Sequence, residues 1–433
     1  MPVSRRDFTR LLALGGSSAL LSRSAFASDS RALREMGFSA APLPPTPQAP
    51  DEKFWGDVRS RFLIPQDVGF FNAANLCPAS LPAIEAHERH LRKYEANPSP
   101  DARTELMKGR EEARTMLAAA LRVTPEEIVI TRNTTEGNNF VSSGLQLGPG
   151  DEVIVWADNH PSNLGAWTTK AKRFGFTVVT VPVPPGHPGT QGYVDLFAKA
   201  FTPHTKVLAF SHASSNSGDL LPARELCALA RERGALSLVD AAQTFGLLDN
   251  DLSAMQPDFF TGSMHKWPCG PKEKGVFYVN KAVHEKIHPT VVGLYGGAVG
   301  ISRQFEGEGQ RDDASIAAVV EGLKFQGGIG RALIEQRSRA LATRFHSGLV
   351  RIKGITSHTS ADPAQRAAIV IFKPGDLDPR KLGAALTAKH RVVATVRGGQ
   401  DRSGLRLSPH FYNTNAEVDR TLEAIEGYMK SGV

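Results

Sequence analysis

The chain has 433 residues, of which 41% are hydrophobic and 22% charged, a composition typical of a globular protein with one large domain and a smaller one. Its formal net charge is +7, but lysines and arginines do not cluster with interleaved aromatic residues, which argues against nucleic acid as a partner. The cysteines, Cys77, Cys227 and Cys269, are odd in number and widely separated, so they predict no disulfide framework.

Residues 1–27 carry the three features of a twin-arginine export signal in the correct order. The pair Arg5-Arg6 precedes an apolar stretch from Leu11 to Leu21, and Ala25-Phe26-Ala27 matches an A-x-A cleavage site. No later apolar stretch approaches the ~20 residues that span a bilayer. We therefore expect a periplasmic protein that the twin-arginine machinery exports already folded, with no membrane association after cleavage.

Residues 28–50 are rich in proline, alanine and serine and predict an extended arm. From residue 51 onward, short apolar runs alternate with helical stretches such as Ser162–Phe174 and Pro222–Arg233. These runs are Ile128–Thr131, Glu152–Val155, Thr177–Val181, Lys206–Phe210 and Leu236–Val239. The alternation predicts an α/β fold with a large, mostly parallel sheet over residues 51–320.

A second, smaller α/β domain is predicted for residues 321–433. It opens with the long helical pattern of Arg331–Leu349. Its strands are expected at Ala368–Phe372, Val392–Val396 and Leu405–Ser408, and its further helices near 378–389 and 415–430. The pattern thus favours two domains joined near residue 320.

Four clusters of polar residues come directly after predicted strands of the large domain. They are Asn133–Glu136, Asn159–Asn163, Ser211–Asn216 and Asp240–Gln243. In open α/β sheets, ligands bind at the edge where parallel strands end. These clusters therefore predict a binding site at that edge.

Lys266 lies in the segment Ser263-Met264-His265-Lys266-Trp267, between the predicted strand Asp258–Thr261 and the glycine- and proline-containing stretch Cys269–Lys274. A lysine in such a turn is expected to be partly desolvated. Desolvation lowers its pKa and provides the neutral amine that imine formation requires. Because most lysines are solvated surface groups, Lys266 alone is a weak indication of a cofactor site. The neighbouring residues decide whether that prediction holds.

The neighbouring clusters contain the groups that a pyridoxal phosphate (PLP) site needs. Asp240 can pair with the pyridinium nitrogen, and Gln243 can donate to the phenolic oxygen. Thr134 and Thr135 begin a helix, where hydroxyls and free backbone N–H groups suit a phosphate, and His160 can stack on the ring. Each residue alone is as readily a helix cap or a loop residue. The five in order, each at a strand end, favour a PLP site.

The ordered motifs resemble the class V aminotransferase family of fold-type-I PLP enzymes, which includes cysteine desulfurases and isopenicillin N epimerase-like proteins. The matching motifs lie between about residues 70 and 415. They are Thr131-Arg132-Asn133-Thr134-Thr135-Glu136, Asn159-His160-Pro161-Ser162-Asn163, Val239-Asp240-Ala241-Ala242-Gln243, Ser263-Met264-His265-Lys266 and Leu405-Arg406-Leu407-Ser408.

The resemblance implies a role for each residue of the predicted site. Lys266 is the Schiff-base lysine, Asp240 lies at the ring nitrogen, Gln243 at the phenolic oxygen and His160 on the ring. The residues implied at the phosphate are Thr135, Ser263 and His265. Arg406 pairs with the substrate carboxylate, which a planar guanidinium can bind through two hydrogen bonds. We also expect Asn216 near the ring face or the substrate.

The chain departs from the family pattern at two positions. Cysteine desulfurases carry a nucleophilic cysteine just before the substrate arginine, whereas residues 395–401 contain none. Where many members have a Gly-Thr pair that reaches a neighbouring subunit's phosphate, this chain has Gly309-Gln310-Arg311-Asp312-Asp313. Arg311 is therefore the candidate for that role in a homodimer with shared active sites.

Two motifs of other enzyme classes also occur. His284-Glu285-Lys286-Ile287-His288 matches H-E-x-x-H, and a periplasmic zinc hydrolase using His284, Glu285 and His288, with Glu306 as a third ligand, is one alternative. Pro289 follows directly and disfavours a continuous helix, so we expect a chance match and no metal. Ser263-x-x-Lys266 matches the S-x-x-K of serine acyl enzymes, but no K-T-G follows it.

The predicted reaction starts with removal of the α-proton of an amino acid or peptide-borne amino group by the Lys266 amine. Transamination, epimerisation and a lyase reaction of the cysteine desulfurase type all remain open. His410 and Tyr412, which follow Arg406, are candidates for the second acid that epimerisation needs. The predicted export favours tailoring of a secreted peptide or siderophore.

Overall fold

The computed structural model describes residues 37–39, 41–398 and 402–433. The predicted twin-arginine signal and residues 28–36 of the arm lie outside the described residues. The described part of the arm packs on the folded chain: Ser39 N donates to Ser60 O at 2.8 Å, and Thr46 Oγ1 donates to Gly328 O at 2.7 Å. Among the described helices, none is long and apolar enough to cross a bilayer.

The described helices and strands largely follow the predicted alternation. The α-helices are Glu52–Arg59, Leu81–Ala96, Pro100–Leu121, Thr134–Gly144, Pro161–Phe174, Gly189–Ala198, Ala223–Glu232, Leu252–Met255, Ser302–Phe305, Asp313–Ile329, Arg331–Leu349, Pro379–His390 and Asn415–Ser431. The strands are β1 (Gly69–Phe70), β2 (Ile128–Thr131), β3 (Glu152–Trp156), β4 (Thr177–Val181), β5 (Thr205–Ser211), β6 (Leu236–Asp240), β7 (Phe259–Ser263), β8 (Gly275–Val279), β9 (Ile355–Ser357), β10 (Val370–Pro374), β11 (Val392–Val393), β12 (Thr395–Arg397) and β13 (Gly404–Leu407).

The large sheet has seven strands in the order β2-β8-β7-β6-β5-β3-β4. Strands β3 to β7 pair in parallel, and β8 runs antiparallel to both of its neighbours. Along β3, Val153 and Val155 pack in the apolar cluster on one face, while Ile154 and Trp156 pack in the cluster on the other. Helices therefore cover both faces, as a mostly parallel sheet requires.

The smaller sheet is antiparallel, in the order β12-β13-β10-β9. The predicted strand Val392–Val396 is divided at Ala394: β11 pairs in parallel with β1, whereas β12 pairs with β13. The division matters for function because it brings β12 beside the strand that carries Arg406.

The predicted domain boundary at residue 320 falls inside the helix Asp313–Ile329. Ile316 and Leu323 of this helix pack in a cluster of the large sheet, whereas Phe325 and Ile329 pack in the cluster of the small unit. Residues 54–77, assigned by sequence order to the large domain, also pack in that second cluster. The chain thus contributes to the small unit from both ends, a pairing that sequence order does not reveal.

Candidate active site

The predicted site residues converge at the carboxyl edge of the large sheet. Asp240 is the last residue of β6, and Lys266 lies three residues beyond β7. His160 caps the helix Pro161–Phe174, and Thr134 begins the helix Thr134–Gly144. Arg406 reaches the same region from β13 of the small sheet. The charges of Lys266, Asp240 and Arg406 all influence the imidazole of His160, so these four groups form one electrostatic cluster.

Lys266 is held in a hydrogen-bonded turn. Its carbonyl accepts from Cys269 N at 2.9 Å, and the preceding carbonyl of His265 accepts from Cys77 N at 2.8 Å. Desolvation lowers the pKa of the Lys266 amine from its ordinary value of 10.5 to about 8; Asp240 opposes this shift, while Arg406 adds to it. A neutral amine is therefore accessible near neutral pH, as the sequence predicts.

The lowered pKa of Lys266 makes the stability of the PLP-free protein depend on pH. Between pH 8 and 10.5 the unfolded chain keeps a proton on this amine that the folded chain has lost. The free energy of unfolding therefore rises with pH through this window. We expect urea unfolding at pH 7 to 10 to show a steeper rise for the wild type than for Lys266→Met. Parallel pH profiles would contradict the lowered pKa.

Asp240 is buried and receives three hydrogen bonds. Its Oδ2 accepts from Asn138 Nδ2 at 2.9 Å and from Asn163 Nδ2 at 3.2 Å, and its Oδ1 accepts from Ala242 N at 3.1 Å. Sequence reasoning assigned no role to the two asparagines. The sequence feature that could have identified Asn138 is its position as a polar residue on the buried face of a helix, one turn after Thr134. Both amides orient the carboxylate that faces Lys266.

His160 is held by its own helix start. Its Nδ1 accepts from Ser162 N at 3.2 Å and lies 2.8 Å from Ser162 Oγ. Desolvation, with a contribution from the Lys266 charge, lowers the pKa of the imidazole below its usual range. The neutral ring with its proton on Nε2 is therefore favoured, which suits a group that stacks on an aromatic ring.

The residues predicted at the phosphate are partly brought together. Thr134 N donates to Ser263 Oγ at 2.9 Å, and their hydroxyls are 2.7 Å apart. Thr135 is exposed at the start of the same helix. His265 lies close to Lys266 in sequence and space, and desolvation lowers the pKa of its imidazole to about 4.

Arg311 is a buried arginine with spare hydrogen-bonding capacity. Its Nε lies 3.3 Å from Glu308 Oε2. Desolvation, together with the nearby carboxylate of Glu136 in the first turn of Thr134–Gly144, raises the pKa of Glu308 to about 7. Arg311 Nη1 and Nη2 have no hydrogen-bond partner among the described residues. Nη1 lies 4.0 Å from Glu306 Oε2, a carboxylate that Arg114 already binds. The two buried donors, near the start of the helix Thr134–Gly144, therefore still fit an anionic group.

Gln243 is already engaged by the protein. Its Nε2 donates to Ala74 O at 3.0 Å, and its Oε1 accepts from Trp267 Nε1 at 3.0 Å. An amide nitrogen carries two hydrogens, so one remains for the predicted phenolic oxygen. Gln243 also braces the residue that follows Lys266, a role that sequence reasoning did not predict.

Arg406 is fully buried in β13. Its Nη1 donates to Ser215 O and its Nη2 to Asn72 Oδ1 at 3.3 Å, while its Nε has no partner among the described residues. No carboxylate in the described part of the chain forms a salt bridge with it. Desolvation lowers the pKa of its guanidinium to about 9. A buried cation with no acidic partner suits a substrate carboxylate.

Asn216 is adjacent in sequence to Ser215, whose carbonyl accepts from Arg406, and its contact with the ring face or the substrate stays a prediction. Its Nδ2 donates to Asp158 Oδ1 at 2.6 Å, and Ser214 Oγ donates to the other oxygen of the same carboxylate. Asp158 thus holds both residues that flank Ser215, whose carbonyl accepts from Arg406. Asn216 therefore helps to position Arg406 through the neighbouring Ser215.

The two candidates for a second acid, His410 and Tyr412, are engaged by other parts of the protein. His410 is buried, with Nδ1 2.9 Å from Ser338 Oγ and Nε2 2.7 Å from Trp267 O. Tyr412 is buried with its hydroxyl 3.7 Å from Cys77 Sγ. Since both ring nitrogens of His410 are engaged, it braces the turn after Lys266 and does not exchange protons with a substrate.

The H-E-x-x-H motif lacks the geometry of a zinc site. A 3-10 helix, Lys281–Lys286, ends before His288, so the two histidines do not share a face of one α-helix. His284 Nε2 lies 3.0 Å from Val279 O. Glu306 is buried and pairs with Arg114 through both oxygens, at 2.6 and 2.9 Å. Within the described ranges, no three potential metal ligands come together.

Comparisons with known proteins agree with this geometry. The family model "Aminotransferase class-V" matches residues 70–421. The chain is 31% identical to the isopenicillin N epimerase of Amycolatopsis lactamdurans, covering 87% of this chain and 99% of the relative. It is 27% identical to a probable cysteine desulfurase of Methanothermobacter thermautotrophicus, covering 86% and 98%. A structure of C-DES with glycine covalently linked to its PLP cofactor superposes with a TM-score of 0.79 at 24% identity, covering 87% and 99%.

Proposed function

Since the chain belongs to the class V aminotransferase family, we propose that it acts at the α-carbon of an amino acid or of a peptide-borne amino group, by epimerisation or transamination. The family is PLP-dependent, and the fold is that of fold-type-I PLP enzymes, as the resemblance implies. The observation that carries the proposal is the cluster of a desolvated Lys266, a buried Asp240 and an Arg406 without an acidic partner in the described chain.

The residues present fit PLP. The buried Nη1 and Nη2 of Arg311, which have no hydrogen-bond partner among the described residues, and the hydroxyls of Thr134 and Ser263 suit its phosphate. The carboxylate of Asp240 suits its ring nitrogen. When bound, PLP accepts the electron pair released at the α-carbon. We assign to Lys266 the covalent attachment of the cofactor and the removal of the α-proton. His160 covers the ring, and Arg406 orients the substrate by its carboxylate.

A lyase reaction of the cysteine desulfurase type is the second candidate, because probable cysteine desulfurases are among the relatives. Against it, residues 395–401 contain no cysteine. Cys77 lies close enough to Lys266 to influence its charge, but this thiol is 1% exposed. A thiol buried to this degree has little room to form a persulfide. The burial of Cys77 therefore favours epimerisation or transamination over the lyase reaction.

The reaction type is tested by incubating the PLP-loaded protein with candidate amino acids in deuterated water, with and without an α-keto acid. Deuterium at the α-carbon with inversion supports epimerisation, and turnover that requires the keto acid supports transamination. Release of sulfide or sulfane sulfur from cysteine, with neither of these, would replace the proposal by the lyase.

We further propose a homodimer. Val291, Val292, Leu294 and Tyr295 are large apolar residues in one loop, and Val292 and Leu294 are 84% and 92% exposed. Contiguous exposed apolar side chains of this kind favour a protein contact. We expect Val292→Glu/Leu294→Glu to shift light scattering from dimer to monomer mass, whereas Val350→Glu, at a position that is 51% exposed, leaves the dimer intact. A wild-type monomer, or a variant that remains a dimer, contradicts the proposal.

Export by the twin-arginine route remains a proposal that rests on residues 1–27 alone. It would bring the enzyme to secreted substrates, for which tailoring of a peptide or siderophore is the proposed role. Fractionation of cells expressing the full chain should find the protein in the periplasm, and Arg5→Lys/Arg6→Lys should retain it in the cytosol. Cytosolic retention of both proteins would remove the basis for a secreted substrate.

A further inference from the structure

Arg397 lies on the same face of the small sheet as Arg406. In the antiparallel pair of β12 and β13, Thr395 is opposite Arg406 and Arg397 is opposite Gly404. Paired residues share a face, and every second residue of a strand returns to it. The contacts agree, because Thr395 Oγ1 and Arg406 Nη2 both donate to Asn72 Oδ1. Arg397 and Arg406 are thus diagonal neighbours, with Cβ atoms about 7 Å apart.

The charge of Arg397 also acts on the ionisable groups of the site. Its charge lowers the pKa of Lys266, of His160 and of Arg406. Its Nε is buried without a hydrogen-bond partner, and no salt bridge to it occurs within the described ranges. Desolvation lowers the pKa of Arg397 itself. The second arginine is therefore directed at the same space as the first.

The charges around this space do not balance. In the proposed function, Lys266 is taken up by attachment of the cofactor, which leaves Arg397 and Arg406 as the free cations. Among the described residues, Asp240 is the one carboxylate that opposes them in the electrostatics of Lys266. Arg406 is buried and Arg397 is partly buried, and adjacent desolvated like charges are destabilising unless an anion compensates them. The carboxylate of an α-amino acid compensates Arg406 and leaves Arg397 uncompensated. A second anionic group on the substrate resolves the imbalance.

We propose that Arg397 binds a second anionic group of the substrate, so that the substrate is an amino acid whose side chain ends in a carboxylate. This inference rests on the proposed function, because it takes the α-carboxylate to bind Arg406. Arg397 then determines specificity: it selects acidic over neutral side chains of equal length. Its guanidinium contacts the end of the side chain and takes no part in proton transfer.

The test compares binding of glutarate and butyrate to the purified protein by calorimetry. Glutarate carries two carboxylates and butyrate one, and neither has an amino group that can react. We expect glutarate to bind wild type about 10- to 100-fold more tightly, the value of one charge-assisted hydrogen-bonded pair. Arg397→Gln should remove this preference, and Arg380→Gln, at an exposed arginine of the same unit, should keep it.

The outcomes separate this inference from the proposed function. Equal binding of both acids to wild type, or a preference that survives in Arg397→Gln, overturns the role of Arg397. The visible spectrum of the same preparation reports bound PLP independently. Bound PLP without a glutarate preference rejects only this inference, whereas a preference without PLP rejects only the proposed function. For turnover, Arg397→Gln should raise KM for acidic amino acids and leave kcat nearly unchanged.

Discussion

Replacement of Lys266 by alanine is expected to abolish turnover, by about 10⁴-fold or more, together with the absorbance band of bound PLP at about 410–430 nm. The physical reason is that, in the proposed function, this amine both attaches the cofactor and takes the α-proton. Desolvation lowers the pKa of this amine to about 8, so that a fraction of it is neutral at physiological pH. Visible spectra and steady-state kinetics measure the two effects together.

Lys272→Ala is the matched control for Lys266→Ala. Lys272 lies six residues further on, and desolvation lowers the pKa of its amine as well. Its Nζ donates to Cys77 O at 2.8 Å, a structural contact. We expect this variant to keep the band and most of the turnover. A band that survives in Lys266→Ala but not in Lys272→Ala would show that Lys272, and not Lys266, attaches the cofactor.

Arg406→Met is expected to reduce kcat/KM about 10²- to 10³-fold, mainly through KM, because it removes the proposed bidentate contact with the substrate carboxylate. The thermal unfolding midpoint should change little, because the loss of the donors to Ser215 O and Asn72 Oδ1 is offset by the removal of a buried charge that has no acidic partner in the described chain. Kinetics and thermal unfolding of the same preparation measure both.

Arg366→Met provides the contrast to Arg406→Met. Arg366 is also buried, but its guanidinium donates to Ser360 O, Ala361 O and Thr343 Oγ1. Three acceptors lose their donor in this variant, so the unfolding midpoint should fall while KM stays near the wild-type value. If Arg406→Met lowers the midpoint and leaves KM unchanged, Arg406 is a structural arginine and the substrate-binding role is lost.

The parts of the fold that depend on local pattern were predictable from the sequence. Apolar runs of strand length predicted β2 to β6 to within one residue at each end. All of these strands except the partly exposed β4 are buried along most of their length, where apolar residues are favoured. The polar clusters at their ends predicted the edge where the site lies. The pairing of β1 with β11 was not predictable, because it joins residues more than 300 positions apart.

The residues that form the site were easier to predict than the residues that hydrogen-bond to them. Lys266, Asp240, His160 and Arg406 belong to one cluster as predicted, since each follows a strand or lies in one. The partners that orient them, such as Asn138 for Asp240 across 102 positions, have no local signal. For the same reason, the hydrogen bond from Asn216 to Asp158, a carboxylate 58 positions earlier, was not predictable.

The most direct test of the central claim is to identify the lysine that carries PLP. Sodium borohydride fixes PLP irreversibly to its lysine, and peptide mass spectrometry of the reduced, digested protein then locates the modification. The account predicts a phosphopyridoxyl group on Lys266 in near-stoichiometric yield. Modification of Lys272 or Lys274 in its place, or no modification of a protein saturated with PLP, would contradict it.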